Sequence, residues 1–172
     1  RSPVLAITGH KAIPQLQRNA YQEAAHPALF QSVTRFSSSI EQADQMPILL
    51  RQAMREATGP TPRPVHLDLA GLTGEVVELG EVAGPVAIDL RHGRVPAYRS
   101  VPDAADLDAA ARLISTAERP VAVLGAGALL AGAADEVQAL AERGVLIAYG
   151  LDAKGLVADD MEAMVGPVGN YS

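Results

Sequence analysis

Apolar residues fall into short runs separated by polar and glycine-rich stretches, and the spacing inside each run predicts its element. Val4-Leu5-Ala6-Ile7 is a continuous apolar run closed by Thr8-Gly9, the pattern of a buried parallel strand. A polar, weakly patterned stretch follows to about Ser39. Met46, Leu49, Leu50, Ala53, Met54 and Ala57 then recur at three- and four-residue steps, which places them on one face of a helix. Asp44 is the expected N-cap, Pro47 is tolerated in the first turn, and Gly59 provides the stop. Arg51 and Arg55 lie toward the negative end of the helix dipole. Pro64-Val65-His66-Leu67-Asp68-Leu69 returns as a strand, giving the strand–helix–strand pattern of a right-handed crossover unit.

From Ala70 to about Pro102 the periodicity weakens and glycine and proline recur, which predicts a linker with one short extended segment near Val86–Leu90. A second unit begins at Asp103. Leu107, Ala110, Ala111 and Ile114 form a helix face, and Val121-Ala122-Val123-Leu124 follows as a buried strand. Gly125-Ala126-Gly127 is a tight turn, and a helix is expected over roughly Ala131–Arg143 with Gly144 just past its end. Val145-Leu146-Ile147-Ala148 is the next strand. The whole reads as an α/β protein: parallel sheets with flanking helices, in units 1–70 and 103–172 joined by a linker at 71–102.

Composition narrows the function classes. With 48% hydrophobic and 20% charged residues the chain is globular, and the absence of cysteine excludes disulfides, thiolate metal sites and cysteine nucleophiles. The net charge of −6 is uneven. Residues 1–70 carry seven Lys/Arg against five Asp/Glu, and residues 71–172 seven against fifteen. Such a surface repels phosphate backbones, and no basic stripe interleaved with aromatics occurs, so nucleic acid is not expected as a partner. No apolar run is long enough to span a bilayer and no secretory leader pattern is present, so a soluble, cytoplasmic protein is expected. The chain opens on Arg1-Ser2-Pro3 and stops in a loop-like Gly169-Asn170-Tyr171-Ser172, as expected of a piece of something larger.

Candidate chemistry is sparse. Gly125 and Gly127, between a strand and a helix, could present backbone N–H groups to a phosphate, or could simply let strand and helix pack. The next glycine is Gly132, so the strict Gly-x-Gly-x-x-Gly spacing is missed, and no acidic residue ends the strand near Ala148. The histidines His10, His26, His66 and His92 show no metal-ligand spacing. His66 reads as a structural strand histidine, whereas His10 follows a strand end, where α/β sheets place their binding crevice. Asp68 is expected to cap or hydrogen-bond the next turn, and Asp159-Asp160 to be a solvated pair. Tyr21, Phe30 and Phe36 either pack or line a pocket. No Ser-His-Asp set or nucleophile elbow can be assembled.

The order of these segments is more specific than any one of them. Pro3-Val4-Leu5-Ala6-Ile7-Thr8-Gly9, Ala20-Tyr21-Gln22-Glu23, Val33-Thr34-Arg35, Leu49-Leu50-Arg51-Gln52-Ala53 and Pro64–Leu69 resemble the later part of the pyrimidine-binding domain of thiamine-diphosphate enzymes. Arg119–Gly127, Val145–Gly155 and Gly166-Pro167-Val168-Gly169 resemble the opening of the same family's central, Rossmann-like domain, closest to acetolactate-synthase-like members. The resemblance implies a thiamine-diphosphate- and Mg2+-dependent lyase or transferase. It would act on a 2-keto acid, by decarboxylation with or without carboligation, and assemble as a dimer or tetramer.

The family's activating glutamate lies upstream of the matching stretch, and its Gly-Asp-Gly…Asn diphosphate motif is absent here, so the isolated chain is expected to be inactive. The resemblance places His10, Tyr21, Gln22 and Arg35 along the substrate channel. His10 stands where acetolactate synthases have glutamine, Tyr21 where they have phenylalanine, and Arg35 where they have lysine. Some relatives bind FAD or an adenine nucleotide in the central domain, and Gly125 and Gly127 are the positions that would approach it. The competing expectation is a stand-alone nucleotide-binding or assembly module without catalysis.

Overall fold

The strand Val65–Ala70 runs through the middle of the first of two structural units and fixes everything around it. The description is of a computed structural model and covers residues 2–71, 81, 87 and 89–169. Two compact units divide between Arg99 and Ser100. Of the expected extended segment near Val86–Leu90, Val86 and Ile88 lie outside the described residues, and Leu90 itself begins a short 3-10 turn.

Unit 1 contains β1 (Leu5–His10), α1 (His26–Gln31), β2 (Phe36–Ile40), α2 (Met46–Thr58) and β3 (Val65–Ala70). All strands are parallel, in the order β1-β3-β2, so β3 is central. Its alternating side chains serve two different faces. Val65, Leu67 and Leu69 pack with Ile40 against Ala53, Ala57 and the Met46, Leu49 and Leu50 stripe of α2. His66 and Asp68 point to the other face, which α1 covers. Small residues at Ala53 and Ala57, both buried, let α2 sit close on the sheet.

Three expectations for this unit are corrected. The first strand does not close at Thr8-Gly9 but continues through His10, because β3 offers ladder partners as far as Ala70. The stretch read as polar and weakly patterned to about Ser39 holds most of β2, whose serines are tolerated because Ser37 lies within hydrogen-bond reach of His66 and of the Pro27 carbonyl. Asp44 does not cap α2. It sits in a 3-10 turn, Ala43–Gln45, where the Gln45 side-chain oxygen accepts from the Glu41 and Gln42 N–H groups.

Residues 89–99, within the stretch read as linker, are fastened to the end of α2. The Ala97 N–H donates to the Thr58 carbonyl at 2.7 Å, and His92 Nδ1 lies 2.7 Å from Thr58 Oγ1. That hydroxyl donates its proton to the Met54 carbonyl, so the histidine is the donor between them. Nearby, the Arg91 fork holds the Asp89 carboxyl down at about 2.

Unit 2 contains α3 (Ala104–Thr116), β4 (Val121–Leu124), α4 (Ala126–Ala131), α5 (Ala134–Ala141), β5 (Leu146–Tyr149) and β6 (Met164–Pro167). Its parallel sheet has the order β4-β5-β6. Asp103 caps α3, accepting from the Ala105 N–H at 2.8 Å. The helix expected over Ala131–Arg143 is α5, while Gly125-Ala126-Gly127, read as a tight turn, instead opens a further helix, α4, which Gly132 terminates with φ 66 in the left-handed region. The core joins Leu124, Val137, Val145, Ile147, Tyr149 and Ala153. Asp159, read as solvated, accepts from the Tyr149 hydroxyl and holds that phenol above its ordinary value. No described helix is long and apolar enough to cross a membrane.

Candidate functional site

The α1-facing side of the unit 1 sheet carries a connected polar network. Parallel register puts Thr8 beside Asp68 and Ser37 beside His66, all on one face. Thr8 Oγ1 lies 2.6 Å from Asp68 Oδ1 and 2.8 Å from His66 Nε2. Ser37 Oγ lies 2.8 Å from His66 Nδ1. Two more imidazoles converge on the same carboxylate: His26 Nδ1 at 3.1 Å from Oδ1, and His10 Nδ1 at 3.0 Å from Oδ2. Phe30 from α1 stacks on His66, ring centroids 3.9 Å apart and planes 5° from parallel. His66 is 0% and Asp68 1% exposed, so every one of their polar atoms must be served internally.

Counting protons orders the network. The Thr8 hydroxyl has one proton, and it goes to the acceptor-only carboxylate of Asp68. Thr8 therefore accepts from His66, whose Nε2 carries hydrogen. Burial holds His66 below its ordinary value and keeps the ring neutral, with Asp68 opposing and His26 reinforcing the shift. The neutral ring leaves Nδ1 to accept from Ser37, whose one proton goes to this nearer acceptor at 2.8 Å rather than to the Pro27 carbonyl at 3.2 Å. The chain of donors then runs Ser37 to His66 to Thr8 to Asp68.

Its end is incomplete. The His10 Nδ1 to Asp68 Oδ2 contact lacks the alignment of a hydrogen bond, and both atoms are sealed from solvent. Among the described residues no hydrogen bond or ion pair reaches His10 Nε2. His10 ends β1, at the C-terminal edge of a parallel sheet where ligands bind in α/β folds.

The other residues singled out from sequence do not all gather here. Arg35 precedes β2, at the N-terminal edge of the sheet, its N–H bonded to the Pro64 carbonyl at 2.8 Å and its guanidinium against Gly59. The five residues of β2 put that edge about 16 Å from the other. Tyr21 is 78% exposed, and Gln22 has φ 62, in the left-handed region. Both sit in a loop closed by the Glu23 carboxylate, which accepts from the Gln17 and Ala20 N–H groups and is thereby held below its ordinary value.

In unit 2, a Cβ at Gly125 or Gly127 would meet nothing within 4 Å, and Gly125 has an ordinary extended φ of −123. Neither crowding nor conformation among the described residues demands glycine there. An apolar cavity of about 340 Å3 lies on the α2 side of unit 1, lined by Pro47, Leu50, Met54, Leu90 and His92, and the polar network does not border it. Among the described residues no group of three or more His, Cys, Asp or Glu is arranged to hold a metal ion.

Sequence reasoning singled out His10 but read Asp68 and His66 apart and missed Thr8, His26 and Ser37. A signal existed. In Val65-His66-Leu67-Asp68-Leu69 the polar residues share one parity, and so do Thr8 and His10 on the neighbouring strand.

Comparison with known proteins gives a consistent picture. Residues 107–172 match the family described as thiamine pyrophosphate enzyme, central domain. An acetolactate synthase large subunit from Corynebacterium glutamicum is 31% identical over 174 aligned residues, covering 98% of this chain and 26% of the relative. A glyoxylate carboligase from Escherichia coli is 29% identical, covering 97% of this chain and 27% of the relative. An X-ray structure assigned to a thiamin diphosphate-dependent enzyme from Mycobacterium smegmatis shares the fold, with a TM-score of 0.77 at 24% identity, covering 97% of this chain and 31% of that one. The chain thus spans little more than a quarter of the length of the curated relatives it matches.

Proposed function

Because the chain belongs to the thiamine pyrophosphate enzyme family, we propose that it is part of a larger enzyme acting on 2-keto acids, by decarboxylation with or without carboligation. Residues 1–70 are the end of its pyrimidine-binding domain, 71–102 an interdomain linker and 103–172 the start of its central domain. The observation that carries this is the continuity of the likeness: one acetolactate synthase aligns across 98% of the chain, through both units.

Thiamine diphosphate, when bound, supplies the carbanion-stabilising chemistry of such an enzyme, while protein supplies orientation and electrostatics. The residues of this chain do not fit the cofactor's diphosphate and its Mg2+. No metal-holding group exists among the described residues, and the sequence contains no Gly-Asp-Gly…Asn motif. Those contacts belong to other domains of the parent, and the 172-residue chain alone is inactive.

On the substrate side, the geometry favours His10, which ends a strand at the crevice edge with a free ring nitrogen, over Arg35, which stands at the opposite edge. Tyr21 and Gln22 are exposed on their loop and would meet substrate only where another part of the parent brings it to them. A yellow purified parent would place a flavin near Gly125 and Gly127, and a colourless one removes FAD from the account.

The test pairs two samples under the same conditions, with thiamine diphosphate, Mg2+ and pyruvate supplied to each. The whole parent protein releases CO2 only when thiamine diphosphate is present, and the isolated chain releases none above background. Turnover by the isolated chain, or a parent indifferent to the cofactor, would overturn the proposal.

A further inference from the structure

We propose that Glu23 is a positioning residue: its carboxylate gathers the backbone N–H groups of the loop before it and so fixes Tyr21 and Gln22 at the ligand-binding edge of the unit 1 sheet. The inference rests on the 2-keto acid function proposed above for its substrate, whereas the latch is a property of this chain.

The loop joins the end of β1, His10, to the start of α1, His26. It therefore stands at the C-terminal edge of a parallel sheet, the edge at which α/β folds bind their ligands. Packing does not hold it there, since Gln17, Arg18, Asn19, Tyr21 and Gln22 are all exposed. Its backbone is also costly. Gln17, Asn19 and Gln22 adopt φ 62, 54 and 62, in the left-handed region that persists at non-glycine residues only where surrounding bonds enforce it.

One carboxylate supplies those bonds. One Glu23 oxygen accepts from the Gln17 N–H and the other from the Ala20 N–H at 3.1 Å. The Glu23 N–H donates in return to the Ala20 carbonyl at 3.2 Å, and Tyr21 and Gln22 lie inside that reciprocal pair. The Gln17 and Ala20 N–H groups, with smaller contributions from those of Arg18 and Asn19, hold the carboxyl below its ordinary value, so it is ionised at neutral pH. Among the described residues no group other than Glu23 hydrogen-bonds to the backbone of residues 17–22. A loop latched in this way presents the Tyr21 ring, 78% exposed, in one place, and a ligand that meets it need not order it first.

The test uses the whole parent protein as wild type, Glu23→Gln, Glu23→Ala, Tyr21→Ala and the double variant Tyr21→Ala/Glu23→Ala. Native-state trypsin cleavage after Arg18, followed by mass spectrometry, reads the latch. KM and kcat for pyruvate, with thiamine diphosphate and Mg2+ supplied, read its use. Losing hydrogen bonds to an ionised group speeds cleavage after Arg18 by about tenfold or more in Glu23→Ala, and by less in Glu23→Gln, which keeps a side-chain oxygen. Cleavage after Arg51 and Arg55 of α2 does not change, because the opening is local. KM rises in Glu23→Ala with kcat changing less. Tyr21→Ala also raises KM but adds little on the Glu23→Ala background, where the ring is no longer held in place.

If Glu23→Ala does not fold, Glu23→Gln decides by the same readouts. Unchanged cleavage after Arg18 overturns the inference, as does parallel acceleration at Arg51 and Arg55, which would mean general unfolding. KM increases that simply multiply in the double variant overturn the positioning role. Faster cleavage after Arg18 in a parent that releases no CO2 leaves the latch standing and removes the 2-keto acid function. CO2 release with an unaltered Glu23→Ala KM does the reverse.

Discussion

At the level of single side chains, Thr8 carries more of unit 1 than its size suggests. Its one hydroxyl accepts from His66 and donates to Asp68, both of which are buried. Thr8→Val preserves shape but leaves the His66 Nε2–H without an acceptor, a loss of about 1–3 kcal/mol. Thr8→Ser keeps the hydroxyl and costs less. Urea unfolding of the two variants side by side checks this, and equal losses would place the effect in the methyl group instead.

His66 adds a pH dependence of definite sign. Burial lowers its value below 6.5, so as pH falls the unfolded chain takes up a proton before the folded one does. Stability therefore declines on going from about pH 7 to about pH 5. The decline is shallower in His66→Gln, and an identical slope would remove His66 as its source. None of these links was legible in the sequence, because the residues are far apart in the chain and only the parallel register makes them neighbours. What could be read was the polar parity of Val65–Leu69, visible but open to an ordinary solvent-facing interpretation.

At the level of elements, α2 and β3 were the most legible because each has one dominant period. Six apolar residues at helical spacing gave α2 nearly to its ends, Met46 to Thr58. The same stripe explains why Ala53 is 0% exposed: it lies in the core that α2 shares with Ile40, Val65 and Leu67 of the sheet. Ala53→Leu should overpack that contact and cost about 1–3 kcal/mol, read as a lowered melting temperature with the fold retained. An unchanged melting temperature would mean that α2 can lift from the sheet without loss.

β2 escaped detection because three consecutive serines carry no strand signal of their own, and its partners come from tertiary structure. The helix α4 escaped because Gly125-Ala126-Gly127 was read as a tight turn and Gly132 was weighed for a phosphate motif, not as a helix terminator. The apolar positions of α3 were read correctly as a face, yet every residue of that helix is exposed. Periodicity identifies which side of a helix needs cover, and it does not supply the cover.

For the molecule as a whole, the order of short segments was more informative than any motif among them. Both units resembled one family in the right sequence, and the match to its central domain at residues 107–172, together with relatives aligned across both units, agrees with that order. The chemistry attached to the family was never legible here in full. Among the described residues no group is arranged to hold a metal ion, and what those residues do contain is a sheet edge where the buried Asp68 carboxylate lies beside the His10 imidazole.

The central claim is that this chain works only as part of a larger enzyme, and the most direct test of it needs no knowledge of the substrate. It is the intact mass of the protein as its native source expresses it. The account predicts a mass roughly three to four times 17.9 kDa, the size of three ordinary domains and in line with the 26–29% of its relatives that the chain covers. A native mass near 17.9 kDa would contradict it. The chain would then be a small protein without diphosphate or metal contacts, and a stand-alone binding or assembly module would be the better account.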